Sequence, residues 1–153
     1  MGWLELRIPP LLVWLVVALA MLGAAYAVPQ LSFALPGRVA LALVTAAAGA
    51  ALAIAGVAAF RRQRTTVNPL DPGASTSVVS TGVYRWTRNP MYLGFLLALA
   101  GWAVFLSNAL AVILLPVFTG YMTRFQIAPE ERALLAKFDA EYEQYRSRVR
   151  RWV

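Results

Sequence analysis

Two uninterrupted apolar runs, 10–28 and 39–60, open the chain, and neither contains a charged residue. An α-helix needs about 20 residues to cross a hydrocarbon layer of about 30 Å, so each run predicts a membrane-spanning helix. A polar, turn-rich stretch over 61–89 follows. Two shorter apolar runs, 90–106 and 109–124, are then separated only by Ser107-Asn108, which reads as the turn of a helical hairpin. Both are short for a full span, and Pro116 should kink the second. Beyond them Leu134, Phe138, Tyr142, Tyr145 and Val149 recur at three-to-four spacing, predicting a helix over 129–149 with one apolar-aromatic stripe. Pro129 suits its first position, and Glu130 and Glu131 suit the positive end of its dipole. The stripe predicts docking on the membrane or on the hairpin, with Tyr142 and Tyr145 within reach of a site. The pattern as a whole predicts one all-α integral membrane domain over 1–153. It has four transmembrane helices, the last two a hairpin, and a cytoplasmic C-terminal amphipathic helix.

Charge orients this arrangement. Of the 14 basic residues only Arg38 falls on the far side of the predicted bundle, while Arg61, Arg62, Arg64, Arg124, Arg146, Arg148, Arg150 and Arg151 crowd the other. That asymmetry places both termini and the middle loop in the cytoplasm, as expected for an inner-membrane protein. The net charge of +7 therefore reads as topology and contact with anionic lipid rather than as a nucleic-acid surface. Arg7, the first apolar run and Ala25-Tyr26-Ala27 have the outline of a cleavable secretory signal. The length of the run and Glu5 favour its retention as a helix.

Within the second run Ala42, Gly49 and Gly56 recur at every seventh position, and small residues at that spacing predict a face for close helix packing. In the loop, Asn68-Pro69 and Asp71-Pro72-Gly73 are turn signals. The segment 76–80 reads as a short extended stretch with hydroxyls and amides available to a ligand. The chain contains neither cysteine nor histidine, which removes thiolate chemistry, the commonest zinc ligands and imidazole proton transfer. No metal site is predicted, and any chemistry falls to Arg, Glu, Asp, Tyr, Asn, backbone groups or a cofactor.

The most informative stretch is 81–94, a polar segment with two arginines and two tyrosines that runs directly into an apolar helix. Pro129-Glu130-Glu131-Arg132 follows the last apolar run. Charge at a membrane border is expensive, so two such clusters flanking one hairpin point to a shared site for a charged ligand. Pro90 should start the helix near Asn89, leaving the amides of Met91, Tyr92 and Leu93 as donors for an anionic group with Arg88 beside it.

Gly82-Val83-Tyr84, Arg88-Asn89-Pro90-Met91-Tyr92-Leu93-Gly94 and Glu130-Glu131, with Phe138 and Tyr142 downstream, together resemble the isoprenylcysteine carboxyl methyltransferases and their prokaryotic relatives. Phospholipid methyltransferases are similar in outline. The resemblance implies S-adenosylmethionine as cofactor, with S-adenosylhomocysteine as product, in a cytoplasmic-facing pocket. It implies cofactor contacts from Tyr84, Asn89, Pro90, Met91, Tyr92, Glu130 and Glu131, and from Thr76, Ser77, Val78 and Val79. Arg88 and Arg124 are the candidate catalytic residues, and Arg124, Gln126 and Trp102 the candidate substrate-binding ones. The expected acceptor is a lipophilic or membrane-associated carboxylate, thiol or amine reaching the site between helices, with Trp86, Trp102 and Phe105 lining the opening.

The sequence departs from the family pattern at three positions. Asn89 stands where many members have His, Gln126 aligns with an Arg of eukaryotic members, and Asp139 replaces a usual Gly. These departures bear on the acceptor more than on the cofactor. Two other readings remain open: a sterol-reductase-like membrane reductase using NADPH, and a small membrane scaffold without chemistry in which Arg88, Tyr92 and Glu130 anchor the interface.

Overall fold

The computed structural model describes residues 4–65, 68 and 70–153, and the regular elements among them are all helical. The long helices are α1 (Pro10–Ala27), α2 (Arg38–Arg62), α3 (Pro90–Leu106), α4 (Ala109–Met122) and α5 (Ala128–Arg148). α1, α2 and the helix that begins with α4 are long and apolar enough to cross a membrane, and α3, at 17 residues, is a shorter apolar helix. Their outward faces carry Leu11, Leu15, Leu19, Leu43, Val44, Ile54, Ile113 and Val117, all exposed. Such a surface suits lipid and not water.

The small-residue face of α2 packs against α3, its closest neighbour. A methyl at Gly49 would lie 2.5 Å from the Gly94 carbonyl oxygen, and one at Gly101 would lie 2.8 Å from the Ala42 carbonyl oxygen. Glycine is needed there because the two backbones nearly touch. At one end of the bundle Ser107, in the left-handed region at φ 48°, turns the hairpin. The Asn108 side chain accepts from the Leu110 N–H at 3.0 Å and donates to the Val28 carbonyl at 3.0 Å, tying the turn to the α1–α2 connection. Trp102 donates to the Ala18 carbonyl and stacks on Phe105, whose ring faces Arg38.

At the other end the structure differs from the sequence expectation. The final helix does not start afresh at Pro129. α4 continues through a π-helical turn, Thr123–Ile127, directly into α5. Pro129 cannot donate to the carbonyl four residues back, that of Phe125. That oxygen instead accepts the Leu6 N–H at 3.1 Å, so the N-terminal segment supplies the donor the proline lacks. The apolar stretch ends with α4, and the charged α5 lies outside it. Nor is α5 uniform: Asp139 sits at φ 42°, ψ −115°, a break between two helical halves.

The connection between α2 and α3 folds back on the end of α2. The Thr65 hydroxyl accepts the Thr76 N–H at 2.9 Å, and Lys137 donates to the Gly73 carbonyl at 2.6 Å. The 76–80 segment is extended but pairs with no strand among the described residues. Asn68 accepts the Leu70 N–H, forming a turn, while Pro69 of the predicted Asn68-Pro69 signal lies outside the described residues.

Candidate active site

Where α2 ends and α3 begins, the chain lines a cleft that opens to solvent around a cavity of about 90 Å³. Pro90, buried at the first position of α3, sets the direction of Met91 and Tyr92, which both line the cleft. Phe60, from the end of α2, meets the Tyr84 ring edge-on at 5.3 Å. Ser77, Val78 and Val79 form one wall, and α5 supplies the opposite wall with Glu130, Leu134, Tyr142 and Tyr145. The Tyr145 hydroxyl donates to the Tyr84 carbonyl at 2.8 Å, closing the ring of side chains.

The adjacent carboxyls of α5 have opposite surroundings. Glu130 receives a short hydrogen bond from the Tyr92 hydroxyl and faces no cation among the described residues. Burial pushes its carboxyl up to about 8; the Tyr92 hydrogen bond opposes this and the neighbouring Glu131 charge adds to it. Glu131 is held between two guanidinium groups, with Arg151 Nη2 at 2.6 Å from Oε2 and Arg88 Nη2 at 2.8 Å from Oε1. Burial works against its ionisation, but these bonds and charges outweigh it and keep the carboxyl below its usual range. Burial foremost also pushes the phenols of Tyr84, Tyr142 and Tyr145 well above the ordinary tyrosine range, so they remain neutral donors.

Arg88 is already committed. Its Nε and Nη2 donate to Glu131, and its Nη1 donates to the carbonyls of Arg146 and Val149. Four of the five N–H groups of a guanidinium are thereby used. The carboxylate that Arg88 meets is the protein's own. The Leu93 amide is also occupied, donating to the Asn89 carbonyl at 2.9 Å, which leaves Met91 and Tyr92 as the uncapped donors at the start of α3.

Among the sequence candidates the cleft gathers Ser77, Val78, Val79, Tyr84, Arg88, Asn89, Met91, Tyr92, Glu130 and Glu131. Thr76 and Pro90 stand just behind its wall. Arg124, Gln126 and Trp102 lie elsewhere. Arg124 is 60% exposed and pairs with Glu5 at 2.8 Å. Gln126 is fully buried and donates to the Ile8 carbonyl at 2.6 Å. Trp102 and Phe105 belong to the Arg38 end of the bundle, so they do not flank this cleft. The residue sequence reasoning missed is Arg151, read there as one more topological cation. The signal lay in Glu131: a carboxylate buried beside another needs a cation, and the basic tail is one source of it.

A helical bundle with an apolar exterior and a tyrosine-and-carboxyl cleft at one end defines a membrane-type protein with a candidate small-molecule site. Residues 37–141 match the phospholipid methyltransferase family, and the chain belongs to it. It is 44% identical over 63 residues to an uncharacterized protein of Haemophilus influenzae, a match covering 41% of this chain and all of that protein. It is also similar to the protein-S-isoprenylcysteine O-methyltransferases of Saccharomyces cerevisiae (37% over 75 residues) and Schizosaccharomyces pombe (32% over 72 residues). Each yeast match covers 47% of this chain and 30% of the enzyme, so the chain spans less than a third of those relatives. No solved structure matches it.

Proposed function

We propose that this protein transfers a methyl group from S-adenosylmethionine to a lipophilic or membrane-associated acceptor, a carboxylate, thiol or amine, at the cytoplasmic face of the inner membrane. In this reading α1 to α4 all span, α5 lies in the cytoplasm and both termini are cytoplasmic. The observation that carries it is the convergence of Tyr84, Asn89, Met91 and Tyr92 with the distant Glu130 on one cleft. The excess of basic residues at that end of the chain supports the orientation.

The residues present fit the cofactor. Glu130 offers a carboxyl to ribose hydroxyls or an ammonium group, the tyrosine rings offer faces to an adenine or a cation, and Met91, Val79 and Leu134 exclude water. S-adenosylmethionine, when bound, supplies an electrophilic methyl whose leaving group is a neutral thioether. The protein's part is to align and desolvate, a contribution of about 7–11 kcal/mol in well-oriented reactions. A carboxylate acceptor gives up no proton, whereas an amine or thiol must lose one. The acceptor named for the yeast relatives, a lipidated cysteine, and the lipid named for the family agree with an acceptor that arrives through the bilayer.

Calorimetry on the detergent-solubilised protein tests the reading. S-adenosylhomocysteine should bind and NADPH should not. Transfer of labelled methyl into a lipid extract then identifies the acceptor. Failure of S-adenosylhomocysteine to bind a folded preparation would overturn the proposal.

A further inference from the structure

Beyond the cleft, residues 149–152 cross back over the start of α3. The Arg88 N–H donates to the Arg150 carbonyl at 2.9 Å, and the Arg151 carbonyl accepts from the Thr87 hydroxyl at 3.2 Å and from the Asn89 side chain at 2.9 Å. Trp152 donates through its indole to the Thr123 hydroxyl at 3.2 Å, reaching the π-helical turn. The Arg151 guanidinium then grips Glu131 with two bonds, of 3.0 Å and 2.6 Å, on the carboxylate that Arg88 holds from the other side. Residues 87–89, Thr123 and the 150–152 tail are thus joined by polar contacts, and Arg88 and Arg151 among them hold the Glu131 carboxylate.

The position of this cluster gives it a consequence for the site. The half of α5 after Asp139 carries Tyr142 and Tyr145, and Asp139 breaks the helix that joins this half to the bundle. The half is held to the rest by the Tyr145–Tyr84 bond and by Arg88, which reaches the Arg146 and Val149 carbonyls. Without the ion cluster, the two tyrosines would lose the strap that sets them against Tyr84.

We infer that Arg151 is a positioning residue for the cofactor: with Arg88 it clamps Glu131, and the clamped tail holds the Tyr142–Tyr145 wall closed over the cleft. Glu131 is the anchor of this clamp and not a cofactor ligand, and Asp139 is its hinge. This inference rests on the proposed cofactor reading. Arg151 does not itself line the cleft but bonds to Glu131 and Asn89, which do, so its effect on the ligand passes through them and the wall.

The test compares Arg151→Ala, Arg151→Lys and wild type for S-adenosylhomocysteine affinity and dissociation rate, with amide hydrogen exchange over 140–152. The loss of a charge-assisted pair should weaken binding about tenfold in the Ala variant, mainly through faster dissociation. Exchange should rise over 140–152 and stay unchanged in α1 to α3. Lys keeps the charge without the planar fork and should restore part of the affinity. Tighter ligand contact predicts no such gradient. If the Ala variant binds as wild type does, or if binding falls while 140–152 stays protected, the inference fails and the cofactor reading stands. If Ala melts too early to assay, Glu131→Gln with intact Arg151 must show the same exchange pattern, and its absence likewise overturns the clamp. If wild type does not bind S-adenosylhomocysteine at all, both fall together.

Discussion

On the proposed reading Glu130 should make cofactor binding proton-linked, and the size of the effect follows from its surroundings. Its carboxyl is pushed up to about 8 because it is buried and, among the described residues, receives the Tyr92 hydroxyl and faces no cation. If the ionised form is the one that holds ribose hydroxyls or an ammonium group, the competent fraction is about 1% at pH 6 and about half at pH 8. Apparent affinity scales with that fraction, so S-adenosylhomocysteine should bind roughly fiftyfold more tightly at pH 8 than at pH 6. Calorimetry in two buffers of different ionisation enthalpy should also register release of about one proton near pH 6. Glu130→Gln should flatten the profile, and Tyr92→Phe should shift it to higher pH, because the Tyr92 bond favours the ionised form. Stability runs the other way. The folded midpoint lies above the ordinary value of 4.5, so the folded protein holds the extra proton between those two values. Its stability is full below about 4.5 and falls as pH rises through about 8, and the Gln variant should melt above wild type at pH 8.5. A flat wild-type binding profile, or an equal slope in Glu130→Gln, would refute the assignment.

Three further outcomes are expected. Gly49→Ala puts a methyl 2.5 Å from the Gly94 carbonyl oxygen and 2.9 Å from the Ala98 nitrogen, both backbone atoms, so α2 and α3 must part. The overpacking should cost about 1–3 kcal/mol, lowering the detergent melting temperature by roughly 2–12 °C, and an unchanged melting point would place the helices farther apart. Arg124→Ala should change S-adenosylhomocysteine affinity by less than about twofold, because exposed ion pairs contribute about 0–1 kcal/mol and Arg132 also holds Glu5. A tenfold loss would show that Arg124 reaches the ligand. Asp139→Gly relieves a backbone position at φ 42° that L-residues rarely adopt, and should raise the melting temperature by a few degrees, about 1 kcal/mol. A lower melting point would mean that the Asp139 carboxylate contributes more than its backbone strain takes away.

The bundle was legible because lipid leaves few options. Runs such as 10–28 and 39–60 have no other place to go, and Gly49, with Gly56 a heptad on, lies on the face where α2 meets α3. Most of the cleft was legible too, because Tyr84, Met91, Tyr92 and Glu130 sit in compact polar clusters beside apolar runs. What sequence spacing misjudged depends on local helix phase. Pro129 reads as a helix start by every local rule, yet a donor from Leu6 lets α4 run on through a π-helical turn. The turn changes the helical phase, so spacing gave no guide to which of Arg124, Gln126 and Glu130 would share a face. Gln126 turns to Ile8, Arg124 to Glu5 and Glu130 to the cleft.

The acidic pair shows where such reading stops and what decides the rest. Two adjacent carboxyls that enter a low-dielectric setting cannot both stay ionised without partners, so elementary electrostatics already requires them to diverge. Which one is paired is not a property of 130–131. It depends on a tail 20 residues later returning across the start of α3, and on Arg88 having its fork aimed at Oε1 of the same carboxylate. Once Arg88 and Arg151 converge on Glu131, Glu130 is left with a tyrosine alone and is driven toward its neutral form. Arg151, which reads as one more topology marker, and Arg88, the catalytic candidate, therefore both go to Glu131, while burial with only a tyrosine partner raises the Glu130 carboxyl.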